Sequence, residues 1–250
     1  MKKDVLMVGS LWLLITIAGV AGALSWDYLP LVAAEQGRVI DHAFRVLVFQ
    51  SIPVSAFLFS VLIYSVLRFR RREGQTEDGP PIHTNRPAMV TWLLVTTGLT
   101  IFLIIFPGTT GLLELRNHGQ TSEMLPIQVE GSRWTWKVTY PNQNVTSFSE
   151  LVLPVGQEVH FDVTSTDVIH AFWVPAFRMK VDAVPGRVTS VNVTPDLVGT
   201  FDDDTGFRLQ CAELCGLAHF AMSIPVRVVE PAEFDAWVAR TASAGRRAMR

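Results

Sequence analysis

The stretch LPIQVEGSRWTWKVTY, residues 125–140, alternates apolar and polar residues. That is the period of a strand with one buried face and one wet face, not of a helix. Further along, VHFDVTS (159–165), RVTSVNVTP (187–195) and MSIPVRVVE (222–230) repeat the theme. Each is short, rich in Val, Thr and aromatics, and separated from the next by Gly, Pro and Asn. Residues 121–230 are therefore expected to form an antiparallel all-β sandwich or barrel. Residues 231–250 read as a closing helix with a basic tail.

Toward the N-terminus the character changes. Three stretches, residues 5–24, 44–67 and 90–106, are each long and apolar enough to cross a bilayer, which takes about 20 residues. Pro53 inside the second is tolerable in a membrane helix. RFRRRE (68–73) follows the second stretch directly and places the loop at about 68–88 on the cytoplasmic side. Lys2 and Lys3 put the N-terminus on that side too, so the β region faces outward. Residues 25–110 are read as a membrane hairpin. Residues 1–24 are either a further membrane helix or a signal peptide cut after Ala23. Their apolar run exceeds the usual signal core of about 7–15 residues.

The chain is 49% hydrophobic, 18% charged and carries a net charge of −2. That composition excludes an ordinary soluble domain and gives no basic face for nucleic acid. Its two cysteines cannot build a multi-bridge scaffold. Both lie in QCAELCGLAHFAM (210–222), with His219 and Met222 behind them and His170 upstream in TSTDVIHAFWVP. Taken alone, a Cys-x3-Cys pair outside the cytoplasm reads as a disulfide. Zinc accepts cysteine and histidine, but methionine is not among its usual ligands. Thioether with thiolate and imidazole points to copper, and a mononuclear blue-copper site needs only one of these cysteines. The second lets two sulfurs bridge two coppers, each completed by a histidine. Met222 then serves one copper as a weak ligand, and a loop carbonyl, most naturally that of Glu213, serves the other.

With these residues in place, the chain resembles subunit II of the haem–copper cytochrome c oxidases, which carries a dinuclear CuA centre. The resemblance rests on QCAELCGLAHFAM, DVIHAFWVPAFRMKVDAVPGR, GSRWTWKVTY and ELVLPVG in that family's arrangement, together with the hairpin. It implies a cupredoxin-like sandwich over residues 121–230. It also implies copper ligation by His170, Cys211, Cys215, His219 and Met222, with Glu213 bound through its carbonyl. The Glu213 carboxylate would reach a magnesium site shared with subunit I. Trp134 would be the aromatic that receives electrons, and Asp167 a support for His170 or a docking residue. Trp136, two residues on from Trp134, would face the same way along a strand.

The partners implied are haem-bearing subunit I, a soluble cytochrome c or blue-copper donor, and the lipid bilayer. The implied location is a bacterial inner membrane with the CuA domain outside. Other readings are the CuA subunit of a nitric oxide reductase or related reductase, and a membrane-tethered copper-binding protein. NRPAMVTWLLV (85–95) lacks the carboxylate, linked to proton uptake, that members of the family often carry before the last membrane helix. His42, His83, His118 and His160 read as ordinary surface or boundary residues.

Overall fold

The structure, a computed structural model, describes residues 2–70, 74, 84–117 and 124–248. Most of the loop expected at 68–88 lies outside the described residues, as do His83 and His118. The chain divides into two compact units, residues 1–29 with 42–112 and residues 30–41 with 113–250.

The first unit is helical. α1 (Lys2–Ser25), α2 (Glu35–Arg68) and α3 (Arg86–Leu103) arise from the three apolar stretches. The helical segments Lys2–Ser25, Glu35–Arg68 and Arg86–Arg116, the last continuing beyond α3, are each long and apolar enough to cross a membrane. No residue of α1 or α3 is buried, as suits side chains that meet lipid rather than a protein core. α1 packs along α2. Trp12 Nε1 donates to the Pro53 carbonyl at 2.8 Å, and the Tyr64 hydroxyl donates to Asp4 at 2.6 Å. Gly19 lies so close to Ile52 that a Cβ there would sit 2.8 Å from it, the small-residue contact that lets membrane helices approach. α3 starts where Asn85 accepts a hydrogen bond from Ala88 N at 3.2 Å, with a proline in the first turn. Past Leu103 the helix passes through a π turn, Ile104–Thr109, kinked at Phe106 before Pro107, into α4 (Thr110–Asn117). A proline kink is the expected cause.

The second unit is a β-sandwich. One sheet holds β3 (Val145–Ser147), β2 (Thr135–Tyr140), β1 (Leu125–Ser132), β5 (Val159–Ser165) and β8 (Thr189–Val193), in that order. The other runs β4 (Leu151–Pro154), β11 (Ser223–Val229), β10 (Arg208–Cys211), β6 (His170–Val174) and β7 (Met179–Ala183), with β9 (Gly199–Thr200) on β11. The expectation of purely antiparallel pairing needs correction. β1 pairs β5 in parallel, and β11 pairs β4 in parallel. Those pairs join strands separated by intervening strands, a connection that hairpin spacing does not reveal.

The alternation read from residues 125–140 becomes a hairpin. Leu125, Ile127 and Val129 of β1 are buried, as are Trp136, Val138 and Tyr140 of β2. They meet Phe161, Phe172, Phe177, Phe207 and Leu209 between the sheets. Burying each such side chain stabilises the fold by roughly 1.5–3 kcal/mol. α5 (Pro231–Ala248) closes one edge, with Phe234 and Trp237 against Tyr140 at ring-centroid distances of 6.1 and 5.1 Å.

Residues 30–41, inside the stretch read as membrane hairpin, pack with this unit. Ala33 and Ala34 are fully buried, and Ala33 N donates to the Ala176 carbonyl at 2.7 Å. Arg178 fastens the strap. Its Nε reaches Asp41 at 2.7 Å, and its other nitrogens donate to the Pro175, Leu31 and Pro30 carbonyls.

Candidate metal centre

Three strand ends deliver the donors to one place. β6 begins at His170, β10 ends at Cys211, and the two run antiparallel with Cys211 opposite Phe172. The loop from Ala212 to Met222 then returns into β11, and Cys211 N donates to the Met222 carbonyl at 2.9 Å. That bond folds the loop back and brings its two ends together.

The thiols are free and their sulfurs lie 3.8 Å apart, far beyond the about 2.05 Å of a disulfide. Cys211 Sγ is 3.7 Å from His170 Nδ1 and 3.2 Å from the Glu213 carbonyl. Cys215 Sγ is 3.5 Å from His219 Nδ1 and 3.9 Å from Met222 Sδ. Two donors bonded at 2.0–2.3 Å to one ion in tetrahedral geometry lie roughly 3.3–3.8 Å apart. The donor set therefore fits around soft metal ions. It is also dry, because His170, Met222 and both cysteines are buried. The sequence reading proposed all six donors, and the structure brings them into one cluster. The Glu213 carboxylate stays exposed, with only its carbonyl turned to the sulfurs.

Burial, followed by the hydrogen bond with Cys211, pushes the Cys215 thiol up to about 11. A bound cation reverses that balance and holds the thiolate.

Asp167 stands directly behind His170. Its Oδ1 lies 2.9 Å from His170 Nε2 and also accepts from Val168 N at 2.6 Å. Its Oδ2 accepts from Arg133 N at 2.8 Å and from Arg133 Nε at 3.1 Å. Partial desolvation raises its pKa, but the bonds from His170, Arg133 and Val168 outweigh that and hold the carboxyl well below the usual carboxylate range. With the proton on Nε2 facing Asp167, Nδ1 is left to face the sulfur and a metal.

Trp134 and Trp136 do not face the same way. Ser132 pairs with Thr135, so Arg133 and Trp134 form the two-residue turn between β1 and β2, where the period of two does not apply. Trp136 is fully buried, edge-on to His170 at 6.1 Å. Trp134 is 39% exposed and lies on the cysteine loop. A Cβ at Gly216 would meet its ring at 3.4 Å, and Gly216 holds φ +118, a conformation that L side chains rarely adopt. Gly216, Gly131 and Arg133 escaped the sequence reading as site residues. The adjacency of Arg133 to Trp134 was the one visible signal.

A family model described as cytochrome c oxidase subunit II, periplasmic domain, matches residues 144–229. The cytochrome c oxidase subunit 2 of Thermostichus vulcanus is 30% identical over 259 residues, covering 84% of this chain and 77% of that protein.

This chain belongs to the cytochrome c oxidase subunit II family.

Another member, from Alkalihalophilus pseudofirmus, is 31% identical over 189 residues, covering 74% of this chain. The chain spans 53% of that relative's length. The solved periplasmic domain of subunit II from Bradyrhizobium japonicum is 35% identical, covers 48% of this chain and 94% of its own, and has a TM-score of 0.44. The family is one that carries copper, and His170, Cys211 and Cys215, whose donor atoms all lie within 4.8 Å of one another, are candidate ligands for a metal ion.

Proposed function

We propose that this chain is the electron-accepting subunit of a terminal haem–copper oxidase, anchored in a bacterial inner membrane with its β unit on the outer face. It takes electrons from a soluble carrier and passes them to the haems of subunit I, where oxygen is reduced to water. Cys211 and Cys215, with the histidines, Met222 and the Glu213 carbonyl, would hold the copper, which when bound would supply a one-electron couple. The observation that carries this reading is the compact donor set of His170, Cys211, Cys215, His219, Met222 and the Glu213 carbonyl, of which His170, Met222 and both cysteines are buried. Burial on this scale argues against a metallochaperone, whose ligands must exchange.

The chain's own residues do the positioning. His170 and His219 are held with Nδ1 toward the sulfurs. Asp167 fixes the tautomer of His170. Met222 would offer the bound metal a weak thioether donor and so tune its potential. The exposed Glu213 carboxylate is the group through which a magnesium ion shared with subunit I would be held. Trp134, half-exposed and seated on Gly216 beside Cys215, is where electrons arrive.

The donor's chemistry follows from the charges around Trp134. Asp167 is paired with Arg133 and His170, and Glu130 lies 3.6 Å from Lys137. The apolar side chains Ile169, Leu214, Leu217 and Phe220 are exposed close by in sequence to the ligands. Steering of a strongly basic cytochrome c needs a negative face and fades steeply with salt. A less basic cytochrome c or a small blue-copper protein, docking by apolar contact, suits this surface better.

The test is reconstitution of the full chain in detergent with copper under reducing conditions. Two coppers per chain with a mixed-valence spectrum are expected, and a single copper or zinc rejects the reading. Cys211→Ser and Cys215→Ser should each abolish that spectrum, whereas Met222→Leu should keep both coppers and shift the potential. Glu213→Gln should leave the spectrum intact while weakening magnesium in the assembled complex. In stopped-flow reduction, Trp134→Ala should slow electron uptake strongly and added salt should slow it little.

A further inference from the structure

Arg133 occupies a place that neither the ligand set nor the docking surface explains. Its backbone N–H and its Nε both bind Asp167 Oδ2, at 2.8 and 3.1 Å. The other oxygen of the same carboxylate lies 2.9 Å from His170 Nε2. His170 is fully buried and turns Nδ1 toward Cys211 Sγ at 3.7 Å. The Arg133 side chain is 52% exposed. A solvent-facing cation is thus joined to a metal-facing imidazole through one carboxylate.

Such a carboxylate governs how strongly the imidazole donates. An unshared Asp167 would pull fully on the Nε2 proton, make Nδ1 a stronger donor and favour the oxidised, more positive metal. Arg133 draws off part of that pull. Its own charge acts in the same direction, since a cation nearby disfavours the state with more positive charge. Both effects raise the reduction potential.

We infer that Arg133 is a positioning residue that sets the reduction potential of the copper centre through Asp167 and His170. The inference rests on the copper reading proposed above. It also assigns Arg133 a task distinct from docking, although it adjoins Trp134 in the same turn.

The experiment is a redox titration of the full chain in detergent, loaded with copper, following the copper absorption. Arg133→Gln should lower the midpoint potential while copper content and band positions stay as in wild type. Arg133→Lys keeps a cation beside Asp167 and should restore most of the wild-type potential. Asp167→Asn removes the anion behind His170 and should raise the potential. An Arg133→Gln potential equal to wild type, with copper fully bound, overturns the inference. So does an Arg133→Lys potential shifted as far as that of Arg133→Gln. If Arg133→Gln loses its copper, Asp167→Asn still decides, because a potential that fails to rise overturns the relay. A wild-type chain that binds no copper would sink the copper reading itself. Metal analysis before the titration tells that failure apart.

Discussion

Gly131 shows how one missing methyl shapes the site. A Cβ there would lie 3.0 Å from Trp136 and 3.2 Å from His170. Both rings are fully buried and edge-on to one another, so neither can swing aside into solvent. Gly131→Ala should therefore behave as overpacking and destabilise the chain by about 1–3 kcal/mol. Denaturant unfolding of the metal-free chain measures the loss. Because His170 is one of the crowded groups, copper affinity should fall as well. A variant with wild-type stability would show that the hairpin tip yields more than its packing implies.

At the scale of elements, the strap at residues 30–41 joins the sandwich by a few specific contacts. Arg178 collects the carboxylate of Asp41 and the carbonyls of Pro30, Leu31 and Pro175. Both partners of the ion pair are largely shielded from water, with side-chain exposures of 14% and 12%. Gln36 adds a second clasp through its carbonyl, which accepts from Thr194 N at 2.9 Å. Arg178→Met should leave Asp41 and the Pro30 and Leu31 carbonyls without their arginine donor, while the Pro175 carbonyl keeps the backbone N–H of residue 178. A hydrogen bond to a charged group contributes about 1.5–3 kcal/mol, so a loss of at least that size is expected. Limited proteolysis should then cut within residues 26–41 faster than in wild type. Unchanged cleavage would mean that Ala33, Ala34 and Gln36 hold the strap without it.

For the molecule as a whole, two shifted groups shape the pH dependence of the metal-free chain. Asp167 titrates below its unfolded value, so its contribution to stability is present above about pH 3.9 and disappears as the pH falls through the lower folded value. Cys215 is raised, from 9.0 to about 11. Its contribution is complete below the unfolded value and is lost as the pH rises toward the folded one. Thermal melts of the metal-free chain should thus plateau between these limits, with losses at both ends. Copper should abolish the alkaline loss, because a bound metal holds Cys215 as thiolate throughout. An alkaline limb that persists unchanged in the copper-loaded chain contradicts this assignment.

The sequence by itself determined the large divisions. A run of about 20 apolar residues has few fates other than a membrane helix, and alternation on either side of Arg133 and Trp134 has few other than half-buried strands. Both are local signals, carried by side chains close together in the chain. The candidate copper ligands were legible for the same reason: five of the six donors fall within residues 211–222, and their chemical softness narrows the metal. What the tertiary structure alone decided depends on contacts between distant segments. The parallel pairings of β1 with β5 and β11 with β4 leave no local trace. The strap reads as part of a membrane hairpin until Arg178, 137 residues from Asp41, is seen to hold it. Trp134 parts from Trp136 because a two-residue turn interrupts the strand period between Ser132 and Thr135. Arg133 acquires its place only when folding brings Asp167, 34 residues away, against it. Periodicity reports which face a residue takes within its own element, and only the packing of one element on another reports what that face meets.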